Sequence, residues 1–415
     1  MKKLFAFFEG KLIGTIIKDE EDVYSFEYDE EWKEFDLSLS MPVSQKKFGN
    51  KITLSFFENL LPEGEVKKSL EFHHKIKSVY DFLDHFGQDL AGALVVSDNP
   101  NFPGQAAPLE KIEIDMGRVY QAIKDKSSVA EALSEMNPGY LSLAGAQDKF
   151  PAIYEEGRFF LPKNGGATTH IVKTPILRSG IEDSVFNEYF CMTLASKIGL
   201  NVPKCFIVKG PSNDHLFVIE RYDRVKSNHE IKRIHQQDFC QALGYLSTNK
   251  YEHMEGPSFK DCFDLILTNV DPITRYQCLS QLLDWLCFNF LIGNNDAHGK
   301  NLSLLLKDNR ITLAPFYDLI STEIYPKLLR KFSFKIGDRD IGHEIGKNQF
   351  NLLEKSLGIK ENVLVNKIKE MGTRILENKD EILKSIAEKY GKVSTVHKIN
   401  DFILRRIKGL KNQRI

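Results

Sequence analysis

Leu291-Ile292-Gly293-Asn294-Asn295-Asp296-Ala297-His298-Gly299-Lys300-Asn301 is the stretch of this 415-residue chain from which the rest is read. It follows residues 277–292, which are apolar on nearly every face and so predict a helix in the middle of a lobe. A polar, glycine-containing loop mounted on a buried helix is where functional groups are commonly carried. Downstream, Leu302–Leu306 and Arg310–Phe316 read as two strands joined by Lys307-Asp308-Asn309, and the second runs into Tyr317-Asp318. The hairpin thus returns a second carboxylate beside the loop that holds the first.

Asp296 and Asn301 are five apart, the spacing at which a kinase catalytic loop places its catalytic aspartate and its metal-binding asparagine. Phosphoryl transfer needs one carboxylate to orient the attacking hydroxyl and hard oxygen ligands to hold Mg²⁺ against the phosphates. Asp296, Asn301 and Asp318 supply that set. Each alone is equally at home in a turn or a cap; the order of helix, loop, hairpin and carboxylate is what points to a kinase. Upstream, the strand Thr169-His170-Ile171-Val172-Lys173 ends in a lysine, and Glu188 follows on the next helix, a kinase's order of lysine and glutamate. An exposed helical glutamate is the competing reading of Glu188. In Leu141-Ser142-Leu143-Ala144-Gly145-Ala146-Gln147-Asp148-Lys149, the small residues Ala144, Gly145 and Ala146 let backbone N–H groups approach phosphate oxygens, although the segment fits neither Walker A nor G-x-G-x-x-G. Leu216–Ile219 leads into Glu220-Arg221-Tyr222-Asp223-Arg224, where a segment joining two lobes offers backbone groups to an adenine edge.

The length favours two or three domains. With 42% hydrophobic and 27% charged residues, disorder and rods are excluded. Lys plus Arg number 56 against 57 Asp plus Glu, so no global cationic field exists for sequence-independent nucleic-acid binding. Six cysteines without a C-x-x-C pair read as reduced thiols. With Glu9 interrupting the first apolar run and no stretch long enough to cross a bilayer, the expected location is the cytoplasm, away from membranes.

Residues 3–17 and 22–28 predict an antiparallel meander, Pro62 a helix end and Gly64 a turn, and the proline-rich segment Asn99–Pro108 a linker. Short strands are expected from 140 to 222, interrupted by a helix capped near Asp183-Ser184 and stopped at Gly199; beyond 233 the periodicity is mostly helical. His73-His74 reads as surface. Residues 397–415 carry six basic side chains against Asp401, a net of 6 − 1 = +5, read first as a solvated helical face.

These motifs resemble the HipA family, serine/threonine-kinase toxins of bacterial type II toxin–antitoxin modules. The resemblance spans nearly the whole chain: Phe57-Glu-Asn-Leu-Leu-Pro-Glu-Gly64, Leu141 to Lys149, His170 to Lys173, Asn187 to Met192, Glu220 to Arg224, Asn294 to Asn301 and Pro315-Phe-Tyr-Asp318. It implies an α+β, two-lobed protein-kinase-like fold: an N-terminal β-rich subdomain over 1–115, a strand-rich lobe over 116–222 and a helical lobe over 223–415. It further implies Asp296 as catalytic aspartate, Asn301 and Asp318 as Mg²⁺ ligands and Lys173 on the phosphates. ATP contacts would come from Ala144, Gly145, Ala146, Gln147, Glu220, Arg221 and Tyr222, with His298 either near the phosphates or fixing the loop, and Lys300 beside it. Ser142 falls on the family's autophosphorylation serine, where a phosphate would repel ATP and act as an off-switch. The family's substrates are aminoacyl-tRNA synthetases, glutamyl-tRNA synthetase foremost; its partner is the helix-turn-helix antitoxin HipB, through which alone DNA would be reached, and its phenotype is persistence. There is no His-Arg-Asp before the loop, and Leu319-Ile320 rather than Phe-Gly follows Asp318. Two other classes compete: a small-molecule phosphotransferase of the choline- or aminoglycoside-kinase type, and a non-catalytic co-repressor, which intact Asp296, Asn301, Asp318 and Lys173 disfavour.

Overall fold

Glu9 and Gly10 both take left-handed φ, 46° and 79°, which closes a two-residue hairpin between the strands Lys2–Phe8 and Lys11–Lys18. This hairpin begins the computed structural model, which describes all residues except 103–109, 135, 137–143, 164, 212–213, 228–229 and 413–415. The chain divides into two units, one of Met1–Pro175, Val208–Thr248 and Ser303–Arg310, the other of Ile176–Ile207, Asn249–Leu302 and Ile311–Ile415.

In the first unit the expected meander continues through Tyr24–Tyr28, whose alternating burial keeps Tyr24, Phe26 and Tyr28 inside. Lys47–Phe48 and Val95–Ser97 complete an antiparallel sheet on its two edges. Gly14 is required there, because a Cβ would lie 2.4 Å from the Glu27 carbonyl oxygen. A second antiparallel sheet carries, side by side, His215–Glu220, His170–Lys173, Lys149–Glu155, Arg158–Pro162 and Lys111–Glu113. These strands match the expectation for 140–222 closely. The helical expectation beyond 233 is corrected at its start: His235–Asp238 is a strand paired with Ser303–Lys307. Pairing with a strand some 70 residues away outweighs local periodicity there. Pro62 does close off the first helical stretch, Asn50–Phe57 with the 3₁₀ turn Glu58–Leu60, whereas Gly64 opens the next helix, Gly64–His74. Most of the expected linker, residues 103–108, lies outside the described residues.

The second unit is helical. Arg275–Ile292 is its centre, with Leu282, Trp285, Phe288, Phe290, Leu291 and Ile292 all buried, and it packs against Phe259–Asn269, Val363–Tyr390 and Ser394–Asn412. The helix expected after Asp183 is Ser184–Lys197, but Asp183 has φ 52° rather than the extended backbone of an N-cap and its side chain makes no cap bond. Glu188 on this helix is buried, so the reading of it as a solvent-exposed glutamate is set aside. The basic C-terminal face is also not wholly solvated: Arg406 stacks over Phe290 and Phe402 and donates to the Gly342 carbonyl at 2.8 Å. Burial pushes its pKa down to about 10.

Candidate active site

Gly293 ends the central helix in the left-handed region (φ 70°), where a Cβ would meet the Phe402 ring at 2.6 Å and Glu323 Cβ at 2.8 Å. Its carbonyl accepts the backbone N–H groups of Thr322 and Glu323, both at 3.0 Å, tying the loop to the segment after Asp318. Asn294 Nδ2 bridges Asn289 Oδ1 at 2.8 Å and the Asp318 carbonyl at 3.3 Å. Asn295 donates its backbone N–H to Thr322 Oγ1 at 2.8 Å and Nδ2 to Glu323 Oε2 at 2.7 Å. A dense set of local bonds therefore holds loop 293–301 against 318–323.

Within this loop every residue except Asp296 is buried, and the Asp296 side chain is 48% exposed. The loop is built to present one carboxylate. Asn301 lies behind it: its Nδ2 donates to the Asp296 carbonyl at 2.9 Å, which fixes the amide so that Oδ1 is directed away from that bond. That leaves a carbonyl oxygen of the hardness Mg²⁺ prefers. Asp318 sits at φ 53°, a conformation that non-glycine residues enter at a cost and that concentrates at functional sites. Among the described residues no cluster of three His, Cys, Asp or Glu forms a metal cage. Mg²⁺ is commonly held by one or two carboxylates together with substrate phosphates rather than by an all-protein cage. The residues present thus fit the metal: Asp318 and Asn301 would hold it, and bound there it would neutralise charge on transferring phosphates.

His298 and Lys300 are both buried. His298 Nε2 is 3.9 Å from Asp296 Oδ1, and the Lys300 carbonyl accepts the Tyr317 hydroxyl at 2.7 Å.

The remaining expected groups lie in the first unit. Lys173 is buried, with its ammonium 5.8 Å from the centre of the Phe217 ring. Its neighbour across the sheet is Lys149, so two lysines share one face of adjacent strands. The Lys149 ammonium lies over Gly145, 2.8 Å from where a Cβ would be. Gly145 has φ 109° and pairs with Pro62, and its carbonyl accepts the Glu63 N–H at 3.0 Å. Gln147 Nε2 donates to the Thr174 carbonyl at 2.8 Å, and Ala146 is exposed. Ser142 lies outside the described residues.

Glu220 is exposed at the strand end, but the Arg221 N–H is already given to the Thr169 carbonyl at 2.9 Å. The Arg221 side chain enters a buried ionic cluster with Asp89, Asp223, Arg224 and Arg233. Asp89 is fully buried and accepts from Thr168, Arg221, Arg224 and Arg233, and those guanidinium groups hold its carboxyl far below the usual carboxylate range. Thr168 precedes the Lys173 strand and Arg221 belongs to the expected adenine segment, so Asp89 ties both to the N-terminal part of the unit.

Sequence reasoning missed Lys149, Tyr251 and Asp89. Lys149 had a signal in strand register. Tyr251, whose hydroxyl donates to Asp296 Oδ1 at 2.6 Å, had none.

Residues 141–379 match the family model of the HipA-like C-terminal domain, and 4–97 that of the HipA N-terminal domain. A Sinorhizobium fredii protein named "Putative kinase Y4mE" is 33% identical over 98% of both chains. The serine/threonine-protein kinase toxin HipA of Shewanella oneidensis is 29% identical over 85% of this chain and 83% of its own. A structure from the Shewanella oneidensis complex of HipA, HipB and operator DNA superposes with a TM-score of 0.84 at 25% identity, covering 99% of this chain and 97% of that one. The α+β kinase-like fold is thereby established.

Proposed function

The chain belongs to the HipA family, and on that premise we propose that it is a Mg²⁺-ATP-dependent serine/threonine-protein kinase. Asp296 orients the acceptor hydroxyl and receives its proton, Asn301 and Asp318 hold Mg²⁺, and Lys173 with Lys149 binds phosphate oxygens. The observation that carries the reading is the loop 293–301, buried at every residue except Asp296 and backed by Asn301 and Asp318. Ala144 to Gln147 cover the phosphates, and the backbone of Glu220 and Tyr222, on either side of the committed Arg221 N–H, faces the adenine edge.

The substrate is a translation factor of the aminoacyl-tRNA synthetase class, with glutamyl-tRNA synthetase first. Residues 1–115 and the basic tail serve a HipB-like antitoxin, and DNA is reached only in its company. The likeness to a HipA crystallised with HipB and operator DNA supports that partner. Ser142 is the autophosphorylation site, where about −1.5 to −2 added charges would repel ATP. The test is incubation of the pure chain with Mg²⁺ and γ-labelled ATP, with and without purified glutamyl-tRNA synthetase, followed by mapping of the label. Phosphoserine on the synthetase and on Ser142 is expected. A chain that labels neither protein contradicts the proposal.

A further inference from the structure

The catalytic loop makes one contact that the proposed mechanism does not use. Tyr251 Oη donates to Asp296 Oδ1 at 2.6 Å, within the range of charge-assisted hydrogen bonds between hydroxyl and carboxylate. The tyrosine is fixed from several sides within its own unit. Its ring stands edge-on to His298, with centroids 5.0 Å apart. Its carbonyl accepts the N–H groups of Met254 and Gly256, both at 2.9 Å. The neighbouring residues are tied to the catalytic loop directly and through Ser333: the Gly299 N–H donates to the Lys250 carbonyl at 3.3 Å, and the Glu252 N–H to the Ser333 carbonyl at 3.0 Å. Ser333 Oγ in turn donates to the Asn295 carbonyl at 2.8 Å. The segment 250–252 is thus anchored to the loop at both of its ends.

We infer that Tyr251 is a positioning residue for the catalytic aspartate, an inference that rests on the proposed role of Asp296. A half-exposed aspartate side chain turns freely between staggered rotamers, and only some of these aim an oxygen at an acceptor. The phenol engages Oδ1 and leaves Oδ2 for the incoming serine hydroxyl. Because the phenol is the donor, it does not take the proton that leaves the serine; that proton goes to Asp296 as the new O–P bond forms and ADP departs. Orientation of this kind acts on the chemical step, since displacement of a reacting group by about 1 Å costs on the order of 100-fold. A different role would be obstruction, with the phenol occupying the place of the acceptor until displaced. The two roles predict opposite signs.

Tyr251→Phe removes one oxygen and keeps the ring against His298. Initial rates of label transfer from γ-labelled ATP to glutamyl-tRNA synthetase, or to the chain itself, are compared for wild type, Tyr251→Phe, Asp296→Ala and the double variant, with thermal unfolding recorded for each. The expected result is a kcat lowered on the order of 10- to 100-fold with KM for ATP unchanged within about twofold, an unchanged unfolding temperature, and no added loss in the Asp296→Ala background. An equal or higher kcat overturns the inference, as does a fall in kcat that comes with a lowered unfolding temperature. A wild-type chain that transfers no phosphate, or an Asp296→Ala chain that transfers it at the wild-type rate, contradicts the catalytic reading beneath it and is distinguishable from both.

Discussion

Asp89→Asn tests whether the buried ionic cluster holds the first unit in shape. Three guanidinium groups (Arg221, Arg224 and Arg233) and two carboxylates (Asp89 and Asp223) give 3 − 2 = +1 in a region where no side chain is more than 5% exposed. Asparagine keeps the volume but turns an acceptor into a donor facing arginines, and the charge becomes 3 − 1 = +2. Breaking a buried pair from one side costs about 3–5 kcal/mol, because the remaining charges stay buried and unsatisfied. Against a typical total of about 5–15 kcal/mol, that is a large fraction of the stability. Urea unfolding can be followed in this unit alone, because Trp32 is buried there and Trp285, the second of the two tryptophans, is buried in the other unit and can be replaced by Phe. The sign with pH follows from the depressed pKa of Asp89. Its contribution is present above the ordinary carboxylate pKa and is lost as pH falls below it, so part of the acid destabilisation of wild type should be missing in the variant. A cost below about 1 kcal/mol would refute the view that these charges are mutually compensated.

Lys149→Ala should weaken ATP binding about tenfold, as loss of a charge-assisted contact implies, measured by calorimetry with Mg²⁺-ATP; unchanged affinity would remove Lys149 from the phosphate site. His235 is buried with a pKa pushed down to about 4 by desolvation. The unfolded state therefore binds the extra proton between pH 6.5 and about 4, and stability is full above that window and falls within it. The loss is about 2 kcal/mol at pH 5 relative to pH 8, and His235→Gln should abolish this part of the slope in urea titrations.

The placement of the candidate residues in the helical unit was legible because it is local in sequence. Asp296, Asn301 and Asp318 lie within 23 residues, and a buried helix, a loop and a turn with left-handed Asp308 and Asn309 carry them in an order that periodicity and turn chemistry reveal. The strands around Lys173 were legible for the same reason. What pattern could not show depends on contacts made across long separations. Asp89 meets Arg221 and Arg233 at separations of 132 and 144 residues, and Tyr251 meets Asp296 at 45. Nothing local marks such partners. Arg221 shows the distinction within one residue: its place at a strand end was readable, but the burial of its guanidinium, and the commitment of its N–H to Thr169, belong to tertiary packing.

The loop 293–301 and Asp318 are proposed to form a phosphoryl-transfer site. Its most direct test is the rate of phosphate transfer from Mg²⁺-ATP to glutamyl-tRNA synthetase and to the chain itself, in wild type, Asp296→Ala and Asp318→Ala, with nucleotide affinity measured in parallel. Transfer should fall at least about 1000-fold in Asp296→Ala while Mg²⁺-ATP still binds, whereas Asp318→Ala should lose both transfer and metal-dependent binding. Undiminished transfer by the Asp296→Ala, Asp318→Ala double variant would contradict the account.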